Sequence, residues 1–575
     1  MEKQITYTSK PWLNYYAKDV PETTEYPSGM LDWQLVEKQA REHPAAVALI
    51  YRGAKITFAR YAELNKRVAK GLYEKGVRKG EVVATLLPTC PAWFFSYYGC
   101  QMLGAVTAVL SPVWTADELV RALNQCGATT IIMLDRFWPL IENIRGKTSL
   151  RRIFLSNPTD FMPGIIGFLG RLTKAKPVKA PPGQADCFMD LVKYPPEPPQ
   201  VDIKPEDTAV LYWTGGTTGV PKGAELTHRG IVANTIQSAL WSKAHWEPGK
   251  TVFMTMYPVF HSGGNGAFHM PIMHGAAYVC LVNPRDMDDM LNGFGKYGVN
   301  IFAGVPAIYT NMLRHPKFAK ADFRSLKTCV SGSVALPPEL TREWEEKTDS
   351  TLVEVYGITE GGPICLFNPW GQPKEQRRIG SIGLPMTDMM VRIVDIETGT
   401  KEIPVGEAGE MIAAGPNLFK GYLNMPEETA QTLRTFAGVT YLYTGDICRM
   451  DNDGFFYLVD REKDMISTYG GFHVAGREVD DALYAHPAVS MAAAIGIPDP
   501  DPSHVGSEIV KAFVVLKPGL ESGPKLAGEL KEHCRVQLAP YKVPREIEFR
   551  AELPLSSIAK PLKRALRQEA RQSAG

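Results

Sequence analysis

From about residue 31 to residue 135 the apolar positions alternate between two spacings. Residues 33–40, 61–75, 92–103 and 115–126 carry apolar side chains at helical intervals. Between them, residues 46–51, 55–58, 104–110 and 129–134 suit strands, the first two joined by a turn at Gly53, and 82–87 is a short apolar run of the kind that parallel sheets bury on both faces. This alternation predicts a layered α/β domain with a parallel sheet. The pattern returns with an apolar run at 210–213, a helix over 227–240, a strand over 251–256 and a strand from 328 into a helix over 338–347. From Gly380 onward short strands and turns dominate, predicting a β-rich subdomain. The last 112 residues alternate strand and helix again, with runs at 478–484, 491–495, 510–516 and 526–536, and have the size of an independent unit. The expected class is therefore α/β: a large N-terminal domain (1–463) of layered α/β subdomains plus a β-rich subdomain, and a small mobile α+β C-terminal domain (464–575).

One stretch breaks the rhythm. Residues 161–172 are apolar, Lys174, Lys176 and Lys179 follow, and a proline-rich segment spans 194–199. An apolar stretch with a basic flank suits a membrane interface, so 161–176 is a candidate for peripheral membrane contact. Gly164, Gly167 and Gly170 weaken any helix there, and an insertion packed on its own domain is the alternative.

Composition narrows the class. The 575 residues are 45% hydrophobic and 22% charged, with a formal net charge of +1, which gives no case for a nucleic-acid partner. Nine cysteines lie scattered without a C-x-x-C pair, arguing for reduced thiols in a cytoplasmic enzyme and against a zinc site. No secretory leader or bilayer-spanning run is expected. The oligomeric state is not legible.

The densest chemistry follows the run at 210–213. Thr214, Gly215, Gly216, Thr217, Thr218 and Gly219 lead through Pro221 to Lys222. Glycines allow close backbone approach, threonines donate hydrogen bonds and the lysine adds a point charge, which makes a cradle for phosphates. The Walker pattern does not fit, because Pro221 precedes the lysine, Gly223 follows it and no helix opens at once. This disfavours a P-loop kinase or ATPase. Tyr356, Thr359 and Glu360 place an aromatic face, a hydroxyl and a hard-oxygen carboxylate within five positions.

The stretch 214–229 resembles the phosphate loop of the adenylate-forming superfamily, which contains acyl- and aryl-CoA synthetases, nonribosomal adenylation domains and luciferases. Gly215, where many members carry serine, is similar to bacterial long-chain fatty-acid–CoA ligases. The other motifs follow in the family's order. His261 sits in a segment similar to P-L-F-H, whose histidine borders the acyl pocket, and Gly304 in the next pocket strand. Ser331, Gly332, Ser333 and Val334 resemble the S-G-x-A-P-L segment that edges the adenine, with Ala335 in place of its proline. Tyr356 through Glu360 matches Y-G-x-T-E, implying stacking by Tyr356, a phosphate bond from Thr359 and Mg²⁺ on Glu360. Asp446 matches the ribose-binding aspartate of Y-x-T-G-D. Residues 460–464 are similar to the hinge G-R-x-K-D, implying ribose and phosphate contact by Arg461 and a pivot at Asp464. Gly470 and Gly471 resemble the glycines beside the pantetheine tunnel. Lys560 aligns with the adenylation lysine, with Ala559 for glycine and Pro561 following.

The resemblance covers nearly the whole chain and implies an ATP-dependent acid–CoA ligase using ATP, Mg²⁺ and coenzyme A. It would form acyl-CoA through an acyl-adenylate, on medium- or long-chain fatty acids. Aryl or alicyclic acids, and a carrier-protein acceptor, are the nearest alternatives. A non-catalytic lipid-binding protein would leave the phosphate and lysine motifs without use.

Overall fold

The computed structural model describes residues 5–172, 176–214, 221–370, 376–461, 464–468, 472–501, 504, 507–556 and 561–573. Two large sheets carry the N-terminal part. The first has nine strands, in spatial order Leu384–Pro385, Leu366–Phe367, Thr351–Tyr356, Thr328–Ser331, Ile301–Gly304, Val252–Thr255, Ala277–Val279, Val47–Tyr51 and Ala54–Thr57. Its centre is parallel and both edges turn antiparallel. The second has eight, in order Gly421–Tyr422, Lys222–Thr227, Thr208–Thr214, Val106–Val109, Val82–Leu86, Thr130–Leu134, Arg152–Ser156 and Asp186–Cys187.

The expected α/β layering is present, with one difference of connection. The hairpin Val47–Thr57 does not join the strand Val82–Leu86 that follows it; Leu49 pairs with Tyr278 in the first sheet. Chain proximity favours neighbouring strands, but burial of the hairpin's apolar face against the first sheet decides the outcome. Helix Pro91–Gln101 is buried along its whole length, as a helix that is apolar on nearly every face must be. Its Trp93, Phe94, Tyr97 and Tyr98 pack around Phe268 of helix Ser262–Met273.

The β-rich subdomain is a third sheet of Met390–Val394, Gly409–Ala414, Val439–Met450 and Leu433–Phe436, with Phe456–Arg461 added to the long strand. Beyond it, strands Met465–Thr468, Phe472–Ala475, Val489–Pro498, Glu508–Leu516 and Glu546–Phe549 form a fourth sheet. Helices Gly476–Tyr484, Pro524–Gln537 and Lys563–Ser573 cover it. The cores of this unit, around Ile466, Val479, Val510, Leu530 and Leu566, are built from its own residues. It meets the larger part through Arg314, which donates to Ser490 Oγ at 2.9 Å, and through Asp460, whose Oδ2 accepts the Arg477 amide at 3.1 Å.

Residues Gly164–Leu172 are a helix in spite of their three glycines. Arg171 ties its last turn to Thr159 and Asp160 at 2.9 Å, and a Cβ on Gly170 would lie 2.9 Å from Thr159 Cγ2, so tertiary contacts outweigh propensity. The helix leaves Ile165 79% and Phe168 64% exposed. Among the described residues no helix is long and apolar enough to cross a membrane.

Candidate active site

A cleft of about 1460 Å³ opens between the large part and the C-terminal unit. Strands Thr208–Thr214 and Lys222–Thr227 are antiparallel, and Thr214 pairs with Lys222 at their ends. Both of these residues line the cleft. Gly215, Gly216, Thr217, Thr218 and Gly219 between them lie outside the described residues.

The segment 356–363 forms the centre of the wall. Strand Thr351–Tyr356 runs into a tight turn in which Gly357 lies against Pro363; a Cβ there would be 1.7 Å from the Pro363 carbonyl oxygen. Glycine is required by that approach. The turn brings Thr359 Oγ1 within 2.7 Å of Ser262 Oγ, and Glu360 Oε1 accepts the Tyr422 hydroxyl at 2.6 Å. The Phe419 amide donates to the Glu360 carbonyl at 2.9 Å, fixing the backbone beneath that carboxylate.

Asp446 stands on the long strand Val439–Met450, directly opposite Arg461 on Phe456–Arg461. Its Oδ2 accepts the Tyr356 hydroxyl at 2.6 Å and its Oδ1 meets Arg461 Nε at 2.8 Å. The Asp446 carboxylate beside Arg461 raises the guanidinium's pKa, and burial raises that of Tyr356, so both remain donors. An aromatic face, a carboxylate and a cation thus converge from three strands.

His261 lines the cleft and also caps helix Ser262–Met273, its Nδ1 accepting the Gly263 amide at 3.0 Å. Gly332, Ser333 and Val334 face the cleft, whereas Gly304 and Ser331 pair with each other in the strands behind that wall. The Tyr257 hydroxyl joins those layers, 2.8 Å from the Gly304 carbonyl and accepting the Gly332 amide at 3.0 Å. Asp464 lines the cleft and pairs with Arg567 Nη1 at 2.7 Å. Lys560, Gly470 and Gly471 lie outside the described residues, but Ser556 and Pro561, on either side of the lysine, line the cleft.

Other residues of the site carry no motif. Glu354 is buried in the wall, and its Oε1 accepts the Leu336 amide at 3.0 Å while Oε2 has no hydrogen-bond partner. Burial pushes its carboxyl up to about 8, against the opposing pull of Arg477. Its position two residues before Tyr356, on the same face of one strand, was the available signal. For Tyr422 the sequence held none.

The donor set suits Mg²⁺ in one way. Magnesium is held by one or two carboxylates together with substrate phosphates, and Glu360 supplies such a carboxylate. Among the described residues no group of three or more His, Cys, Asp or Glu forms an all-protein metal cage.

The cleft between the large layered part and the smaller C-terminal unit is lined by Tyr356, the Asp446–Arg461 pair, Glu360 and Lys222. Residues 36–423 match the family model described as AMP-binding enzyme, and residues 478–560 match its AMP-binding enzyme C-terminal domain. The chain belongs to the AMP-binding enzyme family, the adenylate-forming superfamily. It is 37% identical to a long-chain-fatty-acid–CoA ligase of Bacillus subtilis (strain 168) over 574 residues, covering 98% of each chain. It is 32% identical to a feruloyl-CoA synthase of an Amycolatopsis species, covering 94% of this chain and 98% of the other. Among solved structures, the anthranilate CoA ligase AuaEII in complex with anthranoyl-AMP superposes with a TM-score of 0.83 at 28% identity, covering 95% and 98%.

Proposed function

We propose that the protein is an ATP-dependent acid–CoA ligase acting on medium- or long-chain fatty acids. The observation that carries this reading is the convergence of Tyr356, Asp446, Arg461, Glu360 and Lys222 on one cleft whose deeper wall is apolar, with Phe253, Ala267, Met270, Ala303, Val305 and Val330. The full-length likeness to fatty-acid–CoA ligases supports the aliphatic substrate. The likeness to feruloyl- and anthranilate-CoA ligases keeps an aryl acid as the second reading.

The reaction has two halves. A carboxylate oxygen of the acid attacks the α-phosphorus of ATP, the bond to the bridging oxygen breaks, and pyrophosphate leaves with that electron pair. The thiol sulfur of coenzyme A then attacks the acyl carbonyl, its proton is lost, and AMP leaves. Tyr356 stacks on the base, Asp446 accepts the ribose hydroxyls, and Arg461 contacts ribose and phosphate. Thr359, with the donors of residues 214–219 and Lys222, holds the phosphates. Ser333 and Val334 edge the adenine, while His261 and Gly332 line the acid's pocket and Gly304 and Ser331 back its wall. Lys560 bridges carboxylate and α-phosphate, neutralising the charge that develops between two anions. Mg²⁺ on Glu360 supplies further charge neutralisation when bound. Residues 464–575 then turn about Asp464, withdrawing Lys560 and opening the path for coenzyme A past Gly470 and Gly471.

We further infer a peripheral membrane contact through 161–176, supported by the exposed apolar face of helix Gly164–Leu172. A panel of aliphatic, aromatic and alicyclic acids, assayed for AMP release with and without coenzyme A, tests the reading. AMP with thioester only on medium- or long-chain aliphatic acids is expected. Turnover confined to aryl acids establishes the second reading, AMP without thioester favours a carrier acceptor, and ADP release refutes adenylation.

A further inference from the structure

We propose that Tyr422 is a positioning residue for the phosphate and metal end of the nucleotide, holding Glu360 with its hydroxyl and Lys222 with its ring. This inference rests on the ligase reading above. Tyr422 lies on the edge strand of the second sheet, opposite Ala224, two residues from Lys222. Its backbone is fixed on both sides. The Tyr422 amide donates to Thr429 Oγ1 at 2.9 Å, and the Leu423 amide donates to the Gly223 carbonyl at 2.8 Å.

The side chain stands between two opposite charges. Its hydroxyl donates to Glu360 Oε1 at 2.6 Å, and the Lys222 ammonium lies 5.0 Å from the ring centroid. Lys222 and Glu360 make no ion pair with each other. Were they to collapse together, the lysine would be lost to phosphate and the carboxylate to a metal. A neutral ring with a donor at its tip prevents this, since its face attracts the cation while its edge group takes the anion.

The terminal torsion of a glutamate is broad, so an unheld carboxylate samples many orientations. Tyr422 removes that freedom by occupying one oxygen and presenting the other. Phe419 completes the grip: its amide holds the Glu360 carbonyl at 2.9 Å, and its ring meets that of Tyr422 edge-on at 5.0 Å. Partners that orient a ligating carboxylate commonly matter tenfold or more for metal affinity.

The test separates hydroxyl from ring in the full chain. ATP binding is measured by calorimetry in EDTA, and Mn²⁺ binding to the ATP complex by electron paramagnetic resonance, for wild type, Tyr422→Phe and Tyr422→Met. Tyr422→Phe should leave metal-free ATP affinity within about twofold and weaken Mn²⁺ binding about tenfold. Tyr422→Met, which lacks a π face, should also weaken metal-free ATP binding several-fold. Should the methionine variant not fold, Tyr422→Leu takes its place. Wild-type Mn²⁺ affinity in Tyr422→Phe overturns the hydroxyl's role, and unchanged metal-free ATP affinity in the ring-less variant overturns the ring's. Wild type that binds no ATP in either buffer removes the ligase reading itself, and this inference with it.

Discussion

Tyr356 gives its hydroxyl to Asp446 across 2.6 Å, although the two are 90 residues apart and stand on different sheets. On the proposed reading the bond joins the face that would stack on a base to the carboxylate that would take a ribose, so one interaction would set the distance between both halves of a nucleoside. Tyr356→Phe keeps the ring and removes the bond. A hydrogen bond to a charged group contributes about 1.5–3 kcal/mol, so the ATP KM should rise about tenfold or more with the stacking face intact. A double-mutant cycle with Asp446→Asn should show coupling of about 1 kcal/mol or more; additive losses would mean that the pair is incidental.

Lys560 is expected to serve one half-reaction alone. Lys560→Ala should lower acid-dependent ATP–pyrophosphate exchange by at least about 100-fold, the scale of losing one preorganised charge-stabilising group. Thioester formation from supplied acyl-adenylate should survive. Persisting exchange would point to another cation of the cleft, with Lys563 and Arg564 the nearest candidates.

If the C-terminal part turns about Asp464 as proposed, the motion must break or carry along the ion pair of Asp464 with Arg567. Arg567→Gln should therefore shift the balance between the two half-reactions, measured by pyrophosphate exchange against thioester formation from acyl-adenylate. Asp464→Pro, which restricts the backbone itself, should impair one half more than the other. Equal losses in both would argue against alternation.

The buried Glu354 makes stability depend on pH. Its folded-state pKa lies at about 8 against an ordinary 4.5, so the native state holds a proton that the unfolded chain has released. Its contribution is complete below about 4.5 and is lost as pH rises through about 8. Glu354→Gln cannot titrate. The melting temperature of that variant should gain on wild type steadily across this window and gain no further above it, as thermal scans at several pH values would reveal. A constant offset would show that Glu354 is ionised in the native state.

Helix Gly164–Leu172 presents its apolar side chains outward, and replacing Ile165, Phe168 and Leu169 with serine should abolish flotation with anionic vesicles while leaving turnover of a medium-chain acid in free solution unchanged. Flotation equal to wild type would reassign the helix to another partner.

Much of this molecule was legible before its structure. The strand runs at 82–87 and 129–134 are compact and mostly apolar because both faces are buried, and Thr115 and Thr227 cap the helices expected there. Motif residues that act through position on a strand end or turn, such as Tyr356, Glu360 and Asp446, fall together on one cleft. What stayed hidden depends on pairing at long range. Nothing near Tyr422 indicates that its hydroxyl meets a carboxylate 62 residues earlier, and nothing in the run 46–51 indicates a strand partner near residue 278. The helix Gly164–Leu172 shows the converse, since its glycines argued locally against an element that packing against Thr159 makes possible.

The hairpin Val47–Thr57 has a consequence for how the chain is made. Leu49 and its partner Tyr278 are separated by 229 positions, so the hairpin leaves the ribosome long before the strand it must join. At roughly 5–20 residues per second that interval is on the order of eleven to forty-six seconds. During it an apolar strand edge is synthesised but unpaired, open to pairing with a neighbouring nascent chain. Translation speed through residues 58–280 therefore sets how long that edge stays open.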